Sequence, residues 1–194
     1  MKKVFYLLAL GFLLASCRHA LSEKVIVLQP FGDFSVAEAK TVREKIAKIN
    51  PKVVLRPNIA FPKSSYNRIR NRYRADTLIS FLRNQVGKDT VIVGLSRKDI
   101  STTKGNHQDW GVMGLGFMPG NACVISNFRL SKKKQSEQFY KVVLHELGHT
   151  QGLPHCAVKT CFMRDAEGGN PVDHETGFCN SCKQHLESEN WKLQ

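Results

Sequence analysis

One stretch of eleven residues near the C-terminus, HELGHTQGLPH over 145–155, constrains this chain more than any other feature. On a helix, His145 and His149 lie about one turn apart, so both imidazoles leave from one face and can occupy two corners of a tetrahedral zinc site. Gly152 can adopt a positive φ that other residues avoid, which predicts that the helix ends there. The chain would then turn back and deliver His155 as a third ligand.

Glu146 completes the catalytic interpretation of this stretch. With three histidine ligands, the fourth position of a tetrahedral site stays open for water, which is typical of a catalytic rather than a structural zinc. Glu146 lies beside the first histidine and can reach that water as a general base. The alternative is an amphipathic helix with two solvated histidines, and the additional matches at Gly152 and His155 disfavour it.

Four of the six cysteines follow this stretch as two close pairs. They read C-x4-C, a gap of seventeen residues and then C-x2-C, and they are Cys156, Cys161, Cys179 and Cys182. This spacing predicts a closed, structural tetrathiolate zinc site, which would tie a tail poor in large apolar residues to the end of the helix. The alternative is disulfides, because an exported protein meets an oxidising compartment. Cys123 lies in an apolar strand and is expected to be an inert core thiol.

The N-terminal residues 1–16 predict a signal peptide. Two lysines precede an apolar run over 4–15 that is too short for a comfortable membrane span. The run ends in Leu-Ala-Ser-Cys, which resembles a bacterial lipobox and predicts cleavage before Cys17, lipidation of that residue and a tether over 17–23. The protein would then be an exported, membrane-anchored lipoprotein on the periplasmic or outer face of a bacterial membrane. The alternative is an ordinary secretory signal with an incidental cysteine.

Residues 24–194 are expected to form a single catalytic domain, since an apolar fraction of 42% is enough for a core. A capping box at Ser35 and Glu38 marks the start of a first helix. Strands that alternate with helices predict a largely parallel sheet with right-handed crossovers. The predicted strands are 24–28, 53–55 and 90–95, and the predicted helices are 36–49 and a second one that carries Leu78, Ile79, Leu82 and Val86.

A glycine-punctuated strand over 110–117 is separated from an apolar strand over 122–126 by a short turn. So short a connection requires antiparallel pairing, which predicts that the glycine-rich strand lies at or near an edge of the sheet. A peptide could add to that edge as an extra strand. The alternative is that the glycines only shape a bulge.

The formal net charge of +13 favours anionic partners, or else it is a solvated basic surface. Four arginines over 68–74 allow the same two interpretations, an anion-binding group or a solvated approach to the second helix. Nucleic-acid binding is not expected, because a signal peptide is predicted and the chain lacks basic motifs interleaved with aromatic residues.

The run HELGHTQGLPHC-x4-C-x-M-x15-C-x2-C, from His145 to Cys182, resembles the pattern of the archaemetzincin family of zinc metallopeptidases. The resemblance covers most of residues 24–186. It implies the metzincin α/β fold, a twisted mixed sheet of mostly parallel strands with one antiparallel edge strand over the cleft. Two packing helices, an active-site helix and a short zinc-braced C-terminal tail complete that fold.

The same resemblance implies two zinc ions per chain. One would be catalytic, on His145, His149 and His155 with Glu146 as general base, and one structural, on the four paired cysteines. Met163 matches the methionine that lies beneath the catalytic zinc in this family, although without the resemblance it would be an ordinary core residue. Two features depart from the pattern. No tyrosine follows the methionine to assist the zinc, and a lipoprotein signal is not generally associated with archaemetzincins.

These observations predict a zinc-dependent peptidase that acts as a monomer on peptide or protein substrates. Endopeptidase and aminopeptidase action both stay open, and Asp165, Glu167 and Asp173 are candidates for binding the α-amino group that an aminopeptidase must recognise. The alternative function is a non-catalytic zinc-binding or interaction lipoprotein. Glu146 argues against that alternative, because a purely structural site has no use for a base at this position.

Overall fold

The computed structural model describes residues 24–193, which are built around a five-stranded sheet. In spatial order its strands are β2 (Val53–Leu55), β1 (Val25–Pro30), β5 (Thr90–Ser96), β9 (Ala122–Ser126) and β8 (Gly114–Gly116). The first four run parallel, and β8 pairs antiparallel with β9 at the edge. The sheet is therefore mixed and mostly parallel with one antiparallel edge strand, as predicted.

Both faces of this sheet are buried, because successive side chains along the parallel strands enter two different cores. On β9, Cys123 and Ile125 join one hydrophobic cluster, whereas Val124 joins the other. On β5, Val93 and Ile92 divide in the same way. Continuous runs of mainly apolar residues, such as 90–95, are thus the sequence signature of strands that are covered on both sides.

Between residues 24 and 193 four helices accompany the sheet: α1 (Val36–Ala47), α2 (Ala75–Arg83), α3 (Gln135–Thr150) and α4 (Asn180–Ser188). Helices α1 and α3 belong to the first cluster and α2 to the second, so the sheet lies between them. The Ser35 side chain caps α1 by accepting a hydrogen bond from the Glu38 backbone N–H at 3.3 Å. The Glu38 carboxylate accepts hydrogen bonds from Asn127 instead of from the Ser35 backbone. Of the two hydrogen bonds of the predicted capping box, the one accepted by the Ser35 side chain is therefore formed and the return bond is not.

A second sheet of four strands was not predicted from the sequence. Its order is β3 (Tyr66–Asn67), β4 (Arg72–Arg74), β6 (Ile100–Lys104) and β7 (His107–Val112). The chain leaves β7 and enters β8 of the first sheet after a single residue, Met113. The glycine-rich segment expected to be one strand over 110–117 is therefore divided between the two sheets.

Ion pairs formed by strand β4 account for two of the four clustered arginines. The guanidinium of Arg72 lies 3.2 Å from Asp99 and 3.4 Å from Asp109, and all three side chains are largely buried. Arg74 pairs with Asp76 at 2.5 Å, and this pairing contributes to lowering the pKa of that carboxyl. Arg72 and Arg74 are thus neither solvated nor free to bind an anion, which corrects the sequence expectation for these two residues.

The C-terminal tail is held by more apolar packing than its sequence suggested. The rings of Phe178 and Trp191 lie 6.4 Å apart between centroids, and both are buried in the first cluster together with Leu186 of α4. No helix within residues 24–193 is long and apolar enough to cross a membrane. The predicted signal peptide, the lipidated Cys17 and the tether over 17–23 lie outside the described residues.

Candidate active site

The turn after α3 brings the end of the 145–155 stretch back towards the helix. Gly152 has a φ of 92°, in the left-handed region that glycine favours. Its N–H donates to His149 O at 2.9 Å, and the N–H of Leu153 donates to Gly148 O at 3.1 Å. These two bonds form a Schellman motif, which satisfies carbonyls at the helix end and reverses the chain. The helix end at Gly152 was predicted from the sequence, and its position in the turn explains how His155 returns.

Three imidazoles converge at this helix end. His145, His149 and His155 each offer a ring nitrogen, and these nitrogens all lie within 4.8 Å of one another. The Nε2 atoms of His145 and His149 are 3.0 Å apart. Two nitrogens bound to one tetrahedral zinc at about 2.0–2.1 Å are separated by about 3.3 Å. The observed distance is therefore close to that between two ligands of the same ion.

The hydrogen bonds of Nδ1 in His145 and His149 determine the protonation state of the two Nε2 atoms that face each other. His145 Nδ1 lies 2.6 Å from Phe162 O, and His149 Nδ1 lies 2.7 Å from Leu153 O. A carbonyl can only accept, so each Nδ1 carries the proton and, in the neutral ring, each Nε2 presents a bare lone pair. Two lone pairs that face each other at 3.0 Å repel unless a cation lies between them. The residues present therefore fit a metal ion.

Protonation of these rings is disfavoured by their surroundings. Burial and, to a smaller extent, the neighbouring His149 lower the pKa of His145 to about 4. Burial also lowers the pKa of His149. Neutral imidazole is the form that binds metal, and three of them are a donor set that suits zinc.

Glu146 lies buried between α3 and the edge strand β8. A Cβ at Gly114 would lie 2.5 Å from Glu146 Oε1, and one at Gly116 would lie 3.2 Å from Oε2. The glycines of β8 therefore make room for this carboxylate, a role that the sequence did not reveal. Burial raises the pKa of Glu146 to about 8, and a cation bound at the three histidines would favour its charged form.

Met163 is fully buried and packs against α3, the helix that carries His145 and His149. Its Sδ occupies the space that a Cβ at Gly148 would fill. Gly148 is the residue between Leu147 and His149 in the motif, so the absence of a side chain there lets the methionine pack against the backbone of the metal-site helix. The structure thus places Met163 next to the histidine-bearing turn.

The four paired cysteines form a second cluster directly after His155. Their Sγ atoms all lie within 4.8 Å of one another, and all four thiols are free. Cys156 Sγ and Cys179 Sγ are 3.7 Å apart, whereas a disulfide requires about 2.05 Å. Two sulfurs on one tetrahedral zinc at about 2.3 Å lie about 3.8 Å apart, which agrees with the observed distance.

Backbone amides point at these sulfurs and favour the thiolate form. Cys161 Sγ accepts from the N–H groups of Cys179 at 3.3 Å and Met163 at 3.4 Å. The pKa of Cys179 is lowered to about 7, chiefly by a hydrogen bond from the backbone N–H of Cys182 to its sulfur. Burial instead raises the pKa of Cys182 and also that of Cys161 despite its two backbone donors, and a bound cation would offset this effect. The cluster fits one metal ion held by four thiolates.

A cleft of about 700 Å³ opens over the three histidines and Glu146. Strand β8 and the β6–β7 hairpin line it together with the loop that follows Met163. Of the three acidic residues considered as anchors for a substrate amine, Asp165 lines the cleft and lies 3.3 Å from His155 Nδ1. Asp173 instead accepts from Gln138 at 2.9 Å, outside the cleft lining.

One acidic residue of the cleft was missed by the sequence analysis. Glu175 is buried and lines the cleft, and burial raises its pKa to about 7. Glu175 follows the 3-10 turn Val172–His174, and Lys141 of α3 donates to the carbonyls of Val172 at 3.1 Å and of Glu175 at 2.8 Å. Nothing in the sequence distinguishes Glu175 from the other acids of the tail, because burial depends on the tertiary packing.

Known structures share this fold. The crystal structure of archaemetzincin from Methanopyrus kandleri matches with a TM-score of 0.72 at 24% identity, over 87% of this chain and 96% of that chain. Archaemetzincin from Archaeoglobus fulgidus, crystallised with malonate, matches with a TM-score of 0.70 at 27% identity, over 82% of this chain and 98% of that one. An archaemetzincin from Haloarcula marismortui is 28% identical over 171 residues, which cover 81% of this chain and 96% of that protein.

The fold and the histidine–glutamate site define the class of this protein as a metallopeptidase. The sequence profile of peptidase family M54 matches residues 28–188, and the chain belongs to this family. The resemblance to archaemetzincins stated from the sequence is thereby confirmed. Membership does not favour the alternative of a non-catalytic zinc-binding module.

Proposed function

We propose that this chain is a zinc-dependent peptidase whose catalytic ion is held by His145, His149 and His155, with Glu146 as general base. The observation that carries the proposal is the pair of bare Nε2 lone pairs facing each other at 3.0 Å beside a buried carboxylate. Zinc bound there would supply Lewis acidity, which acidifies a bound water and polarises a substrate carbonyl. A structural zinc on the four paired cysteines completes the proposal.

The chain's own residues supply proton transfer and positioning. In its charged form Glu146 takes a proton from the attacking water and delivers it to the leaving amine. The backbone carbonyls of Phe162 and Leu153 keep the proton on Nδ1 of His145 and His149 and so keep both Nε2 atoms available. Because burial favours the neutral carboxyl, the ability of Glu146 to act as a base depends on positive charge at the histidine site.

The edge strand β8 is the proposed substrate platform. Its three residues, Gly114–Gly116, pair with β9 on one side and line the cleft that contains Glu146. An extended peptide can add along such an edge through backbone hydrogen bonds. Binding through the backbone would place a peptide bond over the histidines with little regard to its side chains.

We favour endopeptidase action over aminopeptidase action. An aminopeptidase needs an acid in the cleft that is free to bind the substrate's α-amino group. Of the three candidates, Asp165 faces His155, Asp173 is held by Gln138 and Lys134, and Glu167 does not line the cleft. Matched peptides with free and acetylated N-termini distinguish the two. Equal cleavage supports an endopeptidase. Cleavage of the free peptide alone would support an aminopeptidase, with Glu175 as the acid of the cleft to test next.

The experiment that tests the proposal compares the wild type with Glu146→Gln on an internally quenched peptide library, with zinc measured on both. Glu137→Gln on the exposed side of the same helix is the matched control. We expect cleavage by the wild type and the control, and loss of cleavage with zinc retained in Glu146→Gln. Cleavage by Glu146→Gln at the wild-type rate would contradict the role of Glu146.

We also propose that the protein is an exported lipoprotein, with a signal peptide over 1–16 and a lipid on Cys17. The support is the lipobox-like Leu-Ala-Ser-Cys sequence after a basic and then apolar N-terminus. Membrane fractionation of the wild type and Cys17→Ala tests it. We expect the wild type in the membrane fraction and the variant outside it, and an equal distribution of both would contradict the anchor.

A further inference from the structure

The three histidines differ in what orients them. The Nδ1 atoms of His145 and His149 are held by backbone carbonyls, which no substitution can remove. His155 has a side chain as its partner instead, because its Nδ1 lies 3.3 Å from Oδ2 of Asp165. His155 is also the most exposed of the three, so less packing restrains its ring. Its orientation therefore depends more on this single contact.

The carboxylate of Asp165 is itself fixed in place. Its Oδ1 accepts a hydrogen bond from the Glu167 N–H at 2.9 Å, which leaves Oδ2 directed at the imidazole. The loop is closed by the Gly169 N–H, which donates to Ala166 O at 2.7 Å. A carboxylate with one oxygen held by its own loop presents the other at a defined position. Both oxygens are thus engaged within the chain.

We infer that Asp165 is a positioning residue for the third metal ligand. Its carboxylate lies 3.3 Å from His155 Nδ1 and favours the tautomer with the proton on that nitrogen, which leaves Nε2 of the ring as the metal donor and keeps the ring directed towards the other two histidines. The inference rests on the proposed zinc site. It also assigns Asp165 a different task from the anchoring of a substrate amine considered from the sequence.

The test compares zinc binding by the wild type, Asp165→Ala and Glu167→Gln. Glu167→Gln removes the same charge from the same loop while leaving the His155 contact intact. Zinc affinity of the histidine site is measured by competition with a chelator. Cobalt substituted into both sites reports them separately, because thiolate ligands give charge-transfer absorption and imidazole ligands do not. The melting temperature of each metal-free protein reports folding.

We expect Asp165→Ala to weaken zinc binding at the histidine site by about 10–100-fold, as removal of a partner of a metal-bound histidine does elsewhere. The thiolate–cobalt bands, the metal-free melting temperature and the affinity of Glu167→Gln should stay at their wild-type values. Equal zinc affinity in Asp165→Ala and the wild type would overturn the inference alone. A parallel loss of the thiolate–cobalt bands or of metal-free stability would overturn it in favour of a structural role. Failure of the wild type to bind zinc at the histidines would overturn the proposed function instead.

Discussion

The carboxylate of Glu146 occupies the space that a side chain at Gly114 would need, since a Cβ built there lies 2.5 Å from Oε1. The edge strand and the proposed base are therefore fitted to each other. A substitution on β8 should then act on catalysis by moving Glu146, without touching any histidine.

Gly114→Ala tests this relationship. The added methyl group must displace Glu146 or strand β8, and a misplacement of about 1 Å in a catalytic group can lower the rate about 100-fold. We expect a loss of that order in kcat/KM with zinc content unchanged. Gly87→Ala is the control, because its Cβ would meet nothing within 4 Å. Wild-type activity in Gly114→Ala would show that the carboxylate does not depend on this space.

Gly148→Ala should destabilise the protein even though alanine is the better helix former. Replacing glycine in a helix gains about 1 kcal/mol, but overpacking a buried site costs about 1–3 kcal/mol. Here the new methyl group would occupy the position of the Met163 sulfur. We expect a net loss of about 1 kcal/mol in unfolding free energy by urea titration. Gly177→Ala, with open space around its Cβ, is the comparison, and a stabilised Gly148→Ala would refute the packing argument.

Glu175→Gln should stabilise the protein at high pH. Burial raises the pKa of Glu175 from 4.5 to about 7, so between these values the folded state holds a proton that the unfolded state has lost. Stability then falls as pH rises through this window, and glutamine removes that loss. We expect a gain on the order of 1–2 kcal/mol at pH 8 and none at pH 4, measured by denaturant titration.

Glu137→Gln supplies a comparison of opposite sign. Its hydrogen bond with Lys141 lowers the pKa of Glu137, so this carboxylate favours folding above its unfolded pKa. The glutamine variant should lose stability at neutral pH and match the wild type in acid. If Glu175→Gln behaved in the same way as Glu137→Gln, the buried carboxyl would have to be ionised in the folded state.

Cys182→Ser should remove one zinc per chain and loosen the tail. Without its metal the cluster loses the link between the end of α3 and α4, and we expect a loss of at least about 3 kcal/mol, or about 6–12 °C in Tm. Cys123→Ala, which changes a buried thiol outside the cluster, should leave the zinc count unchanged. Disulfides found by mass spectrometry in the wild type would contradict the tetrathiolate site.

The sequence predicted the elements that depend on local pattern. The turn at Gly152 requires a positive φ, and the covered strands are continuous apolar runs, so both can be read from neighbouring residues. Strands β6 and β7 were missed because they are rich in polar residues, and because β7 is held by an ion pair between its Asp109 and Arg72 of β4 that joins residues distant in the chain. The close contact between Gly114 and the Glu146 carboxylate brings together residues that are distant in the chain, so the spacing of residues in the sequence could not predict it.

The most direct test of the central claim is the return of zinc to the metal-free protein while peptide cleavage is followed. We predict that cleavage is absent without metal and recovers as the three-histidine site fills, but does not recover in Glu146→Gln at the same occupancy. Cleavage by the metal-free protein, or full recovery with the thiolate site alone occupied, would contradict a zinc peptidase built on His145, His149 and His155.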